Sequence, residues 1–292
     1  MKFQDITSVL AFAGSALAHG GILSYTIDGK DYISNPYHLS DMTTNGAGDA
    51  DIPDLTTPSI QRPYYWYPVE DVESSNMTCN YNAISNAPDF HATVPAGGNI
   101  TAHWTSPEGG IFPYVGLSWR HSHGPMLAYL ARCPGDSCAN YKPEGAIWFK
   151  IAEAGMRPGE KDMTLNSAWW QSEINGYAGY DGEGYHYPAY PEGWSFNLPK
   201  RLKKGAYLIR HEIIMTAANP AQFYPNCAQL MVTGEGDKLP AAEVLVAFPG
   251  AYKASDPGIV IADWAMGWQP AEPRYNTSDY KMPGPKLWTG GN

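Results

Sequence analysis

The sequence predicts an all-β fold, two sheets packed face to face as a sandwich and joined by long loops. Three observations carry that expectation. Short apolar or alternating runs recur along the chain with turn residues between them. No stretch keeps a sustained 3.6-residue apolar period. Twenty-five prolines and 30 glycines in 292 residues interrupt the chain too often for long helices.

Each segment has its own reason. Residues 21–32, GILSYTIDGKDY, place an Asp-Gly pair between two β-prone runs, the pattern of a tight hairpin. Residues 99–106, NITAHWTS, alternate Ile100, Ala102 and Trp104 with polar partners, as a half-buried strand does. MLAYLA (126–131) and IWFKIAEAG (147–155) are apolar enough to be buried strands. Residues 193–199 alternate Trp194, Phe196 and Leu198, and YLIRHEII (207–214) and CAQLMVTG (227–234) complete the set. Residues 33–75, with the cluster PYYWYP, and the tyrosine-rich residues 176–193 read as loops.

Residues 1–18 have the marks of a secretory leader: Lys2, an apolar run from Val9 to Leu17, and Ala16-Leu17-Ala18 as a cleavage site. The run is far shorter than the ~20 residues that span a bilayer, and no later segment qualifies, so no membrane span is expected. Cleavage after Ala18 makes His19 the first residue of the mature chain. Its α-amine and imidazole then share one carbon and can chelate a metal. With no linker and no repeat, residues 19–292 are expected to form a single domain without an appended carbohydrate-binding module.

Four cysteines behind such a leader predict two disulfides, with three possible pairings. Cys133 and Cys138 enclose the turn sequence Pro-Gly-Asp-Ser, so a local bridge is expected, leaving Cys79 and Cys227 to join distant segments. Asn76, Asn99 and Asn276 stand in N-glycosylation sequons. The net charge of −10 excludes a nucleic-acid binder, because an acidic surface repels phosphate. Only 16% of residues are charged, whereas 20 tyrosines and 10 tryptophans suit a neutral partner met through aromatic faces.

Two further stretches bear on chemistry. SWRHSHGPMLAYLARC (118–133) sets His121 and His123 two apart, just before Gly124-Pro125. A His-x-His pair alone is more often a hydrogen-bonded surface pair than a metal site. AQFYPNCAQL (221–230) places Gln222 and Tyr224 near Cys227 on one strand. A tyrosine there packs in a core unless it faces the same end of the sandwich as His19.

Taken together, AHGG at the cleavage point, HSHGPMLAYLARCPGDSC, WFKIAEAGM, WSFNLPKRLKKGAYLIRHEII, AQFYPNCAQLMVTG, FPGAYKASDPGIVI and PGPKLW run in order along nearly the whole mature length. In this the chain resembles the fungal lytic polysaccharide monooxygenases of auxiliary activity family 9, formerly glycoside hydrolase family 61. The resemblance implies an immunoglobulin- or fibronectin-like sandwich whose long loops form a flat active face. It implies one copper ion held by a histidine brace: the amine and Nδ1 of His19, and Nε2 of a second histidine. WRHSHGP fits the family spacing Trp-x-His-x-x-Gly-Pro, which makes His121 that ligand, with His123 the alternative. Tyr224 matches the axial tyrosine and Gln222 the glutamine beside the copper. Tyr280 matches a substrate-contacting tyrosine, and Trp268, Tyr64 and Tyr65 are further candidates.

The implied activity is oxidation of a β-1,4-glucan such as cellulose at C1, C4 or both, by a secreted monomer using an external electron donor and O2 or H2O2. Three nitrogens in a T-shape suit Cu(II), whereas Zn²⁺ wants a fourth tetrahedral ligand. Hydrolysis by paired carboxylates is not required. In one place the chain departs from the family. Members usually continue RHEIIALH, with a histidine close to the copper, whereas this chain runs RHEIIMTAANP. Loss of such a partner typically lowers metal affinity or activity ~10–100-fold. The alternative is therefore a secreted histidine-brace copper protein with little oxidative activity. A plain carbohydrate-binding sandwich explains the tyrosines but not His19, His121 and Tyr224 together.

Overall fold

The computed structural model describes residues 20–33, 59–65, 67–81, 88–106, 117–119, 121–163, 165–174, 178–180, 185–186, 193–259 and 280–291. Twelve strands lie within them. The first sheet has the order β10 (Gly193–Asn197), β4 (Asn99–Ser106), β1 (Gly21–Ile27), β2 (Lys30–Ile33), and β5 (Leu117–Ser118) also pairs with β4. The second has the order β3 (Ala92–Pro95), β12 (Gln222–Thr233), β11 (Gly205–Met215), β6 (Met126–Arg132), β7 (Trp148–Ala154). A small ribbon pairs β8 (Ala178–Tyr180) with β9 (Tyr185–His186). Helical structure among the described residues is limited to short 3-10 turns such as Ser75–Met77 and Trp170–Glu173. None of their helices is long and apolar enough to cross a membrane.

The hairpin at residues 21–32 forms as its sequence implies. Asp28 and Gly29 both take positive φ, +49° and +80°, as a two-residue turn between twisted strands requires, and Ile27 pairs with Lys30. One feature departs from expectation. β3 is an added strand, parallel to β12; its four residues, ending at Pro95, carry too short an alternation to stand out. β12 runs from Gln222 through Pro225 to Thr233, with Gln222, Tyr224 and Cys227 on one strand as expected. Its outer edge accommodates the proline. Phe223 exchanges both backbone hydrogen bonds with Val69, and further along Arg62 N donates to Cys227 O and Gln229 N to Ile60 O. Alternate residues therefore face segment 59–69. Pro225 falls between Arg62 and Val69, so the chain needs no N–H there.

The core lies between the sheets, with Ile22, Tyr25, Ile100 and Trp104 facing Leu130, Ile209, Ile213, Tyr224 and Leu230. The second sheet is also covered on its outer face, where Val69, Met77, Phe248 and Tyr252 pack on Leu127, Tyr129, Leu208 and Phe223. This double burial explains why β6, β11 and β12 read as nearly continuous apolar runs. That outer layer holds a buried ion pair. Arg210 donates to both Glu212 oxygens at 2.7 and 2.9 Å and to the Met77 carbonyl, and its guanidinium lies 3.7 Å from the Phe248 ring centre. Tyr252 Oη donates to Glu212 at 2.6 Å. The disulfide Cys79–Cys227 crosses this layer, and Cys133–Cys138 closes the local turn.

Candidate metal centre

One end of the sandwich gathers His121, Gln222 and Tyr224. There β1 and β10 begin, β4 and β11 end, and β12 starts at Gln222. Strand register brings distant segments together: Thr105 on β4 pairs with Gly21 and with Ser118, so Gly21 is two strands from Ser118, which itself precedes His121 by three residues. His19 itself lies outside the described residues.

The approach to Gly21 is held firmly. β1 carries a register shift between Ile22 and Ser24, and such a bulge re-aims the strand end. Ile22 N donates to Asn226 Oδ1, and Tyr64 Oη donates to Ile22 O at 2.8 Å. The Tyr64 ring covers Gly21 so closely that a Cβ there would lie 2.1 Å from Tyr64 Cε2, so the second glycine of AHGG is a packing requirement. Asn226 also accepts from Gln61 Nε2 at 3.1 Å and donates to Tyr224 O, tying β1, segment 59–65 and β12 into one unit. The period-two repeat from Gln222 through Tyr224 to Asn226 was the signal that would have revealed this asparagine.

His121 follows β5 on a short loop that returns as β6. The loop is clamped: Thr216 N donates to His123 O at 3.1 Å and Ile214 N to Pro125 O at 3.0 Å. Gly124 has φ +118°, and a Cβ there would meet the Ile214 carbonyl oxygen at 2.1 Å, so glycine is obligatory before Pro125. His121 and Tyr224 are both buried and share an aromatic floor. Trp119 meets the His121 ring edge-on at 5.1 Å and the Tyr224 ring at 4.9 Å, and rests in turn on Trp104 at 5.3 Å.

A run of hydrogen bonds crosses this floor. His121 Nε2 and Tyr224 Oη are 3.0 Å apart, Tyr224 Oη donates to Gln222 Oε1 at 3.0 Å, and Gln222 Nε2 donates to Glu70 Oε1 at 3.4 Å. Since the phenol proton is given to Gln222, an oxygen lone pair faces His121. An imidazole nitrogen and a phenol oxygen thus converge, a donor pair that fits a nitrogen-preferring cation with one weak oxygen contact. No cluster of three or more His, Cys, Asp and Glu side chains occurs among the described residues, so a metal here would need a donor from outside them. The His123 ring bonds Ser122 Oγ through Nδ1 at 3.2 Å.

Three further histidines among the described residues, His91, His103 and His211, serve the fold rather than this end. His103 Nε2 bonds Thr26 Oγ1, and His91 Nε2 accepts from Cys138 N. His211 is fully buried between the sheets among Tyr25, Trp194 and Phe196, with neither ring nitrogen bonded to protein. Burial pushes its pKa down to about 3. Ala217 stands where RHEIIALH would place histidine, and it packs on Met163 and Trp169.

The expected aromatic platform is only partly realised. Tyr64 has no exposed surface; its ring serves β1 and offers no face to a sugar. Tyr65 is half-buried edge-on to Tyr81. Tyr280 leans edge-on against Trp169 at 4.9 Å and donates to Gly258 O, turning its hydroxyl inward. Trp268 lies outside the described residues. Three exposed rings went unnoticed in the sequence: Tyr67, 46% exposed, Trp170, 38% exposed beneath the Arg157 guanidinium, and Phe90 beside Tyr32. Among the sequons, Asn99 is half-buried with its amide donating to Ser195 Oγ, Thr78 of the Asn76 sequon donates to Phe248 O, and Asn276 lies outside the described residues.

Comparison with known proteins follows the same lines. Residues 19–273 match the family model of Auxiliary Activity family 9 (formerly GH61). The chain is 34% identical over 284 residues to the AA9 family lytic polysaccharide monooxygenase-like protein CEL1 of Agaricus bisporus, covering 96% of this chain and 74% of that one. It is 33% identical to AA9 family lytic polysaccharide monooxygenase B of Heterobasidion irregulare, covering 95% of each. Among solved structures, a cellulose-active polysaccharide monooxygenase from M. thermophila superposes with a TM-score of 0.68 at 31% identity, covering 93% of this chain and 99% of the other.

Proposed function

The chain belongs to auxiliary activity family 9, the copper-dependent lytic polysaccharide monooxygenases, and from that premise we propose that it acts on a β-1,4-glucan such as cellulose, oxidising C1, C4 or both. The observation that carries this reading is the meeting of His121 Nε2 and Tyr224 Oη on the Trp119 floor, at the end of the sandwich where Gly21 enters β1. Cleavage after Ala18 completes the donor set, because it frees the α-amine and ring of His19 two residues before that strand. Bound copper, reduced by an external donor, supplies the one-electron chemistry that activates O2 or H2O2 for hydrogen removal from the sugar.

The chain's own residues have separable tasks. His121 binds through Nε2, the alternative His123 being engaged with Ser122. Trp119 fixes the tilt of the His121 ring and keeps water from below it. Tyr224 covers one side of the site with its ring and offers an oxygen lone pair. Gln222 holds the phenol proton away from His121. Exposed Tyr67, with Tyr280 and Trp268, serves contact with the glucan.

Copper-loaded protein beginning at His19 is incubated with cellulose, ascorbate and peroxide, and the soluble products are read by mass spectrometry. Aldonic or C4-oxidised oligosaccharides are expected, and their absence despite tight copper binding sinks this reading. His121→Ala should weaken Cu(II) binding far more than His123→Ala; the reverse order reassigns the ligand. One observation favours the second reading, a secreted brace protein with little oxidative activity. Ala217 puts a methyl group where the family motif has an imidazole, so no side chain at that position can pass a proton.

A further inference from the structure

Three groups in the run from His121 to Gln222 are ambivalent. A glutamine amide has nearly the same shape either way round, a phenol hydroxyl donates or accepts, and a neutral imidazole nitrogen does either. Shape alone therefore cannot settle which way the protons point. Glu70 ends the run, and a carboxylate only accepts.

Its place beside Gln222 rests on the backbone. Val69 N donates to Phe223 O and Phe223 N to Val69 O, both at 2.8 Å, so the antiparallel run of this bridge sets residue 70 beside residue 222. Glu70 Oε1 then accepts from Gln222 Nε2 at 3.4 Å. We infer that Glu70 is a positioning residue: it turns the Gln222 amide so that Oε1 faces Tyr224, and thereby sets the direction of every proton from Gln222 to His121. With Nε2 drawn to Glu70, Gln222 Oε1 takes the Tyr224 hydroxyl proton, and the phenol lone pair faces His121. In the metal-free protein this direction favours the His121 tautomer with its proton on Nε2. That the same lone pair faces the copper rests on the reading of His121 as a ligand; the proton direction does not.

The test uses metal-free protein with 15N-labelled histidine and glutamine, at a pH where the His121 ring is neutral. Long-range proton–nitrogen spectra report the His121 tautomer, and the Gln222 side-chain amide is followed beside it. The wild type is expected to hold His121 as the Nε2–H tautomer. Glu70→Gln keeps size and hydrogen bonding but not polarity, and should give a mixture. Glu70→Lys presents only donors and should reverse the run, shifting the tautomer ratio toward Nδ1–H by at least about fivefold, the worth of one hydrogen bond. A role in packing alone predicts no change in Glu70→Gln. His121 staying Nε2–H in both folded variants, with the Gln222 amide unmoved, overturns the assignment. Because no copper or polysaccharide is present, this result is independent of whether the protein oxidises cellulose.

Discussion

His211 offers a test in which the direction and size of the effect both follow from burial. The ring sits between the two sheets with Tyr25 and Phe196 each 5.4 Å away and Trp194 at 6.1 Å, and neither nitrogen has a protein partner. Desolvation holds its pKa at about 3, against an ordinary 6.5. The unfolded chain therefore takes up a proton below pH 6.5 that the folded chain refuses. Stability falls as pH drops from 6.5 towards 3, by about 1.4 kcal/mol per pH unit, and the loss from this residue reaches about 4 kcal/mol at pH 3. At pH 4 it is about 3 kcal/mol. His211→Leu removes the titration and two unsatisfied buried nitrogens together, so at pH 7 it should be neutral or stabilising by about 1–3 kcal/mol. Urea unfolding of both proteins at pH 7, 5 and 4 isolates the effect, since every other titrating group is common to them. The advantage of His211→Leu should grow by about 3 kcal/mol between pH 7 and pH 4. Parallel pH profiles would refute the account, because they require His211 to be protonated in the fold or bonded within it.

Three further outcomes follow from the geometry. Tyr224→Phe keeps the ring against Trp119 but removes two hydrogen bonds, and should lower the stability of metal-free protein by about 1–2 kcal/mol in urea unfolding while altering the Cu(II) EPR spectrum. Gly124→Ala forces a Cβ into the Ile214 carbonyl at φ +118°; it should cost at least ~2–3 kcal/mol and weaken copper binding by calorimetry, because the His121 loop must shift. Glu212→Leu strands the Arg210 guanidinium in the outer layer and should destabilise the protein by ~3–5 kcal/mol, read as an earlier urea midpoint, with no change in the copper spectrum.

Much of this architecture was legible in the residues. Asp28-Gly29 specified its hairpin because few other pairs accept positive φ twice in succession, and the alternation of Ile100, Ala102 and Trp104 marked a strand with one buried face. The family resemblance, rather than the residues themselves, pointed to His121 as a ligand, and the turn within Cys133–Cys138 indicated its bridge. β3 escaped because four residues carry little periodicity. The aromatic residues divided in a way that composition does not reveal. Tyr64 and Tyr67 belong to the same cluster, yet one is sealed over Gly21 and the other is exposed.

By itself the sequence determined the residue types, their strand period and the Asp28-Gly29 turn, since these depend on bonds and neighbours within a few positions. Only the tertiary structure decided that Asn226 ties Ile22 to Tyr224, that His211 has no partner and that Glu70 ends the run from His121. Each of those contacts joins segments far apart in the chain, and their distances are set by sheet register and burial rather than by local spacing.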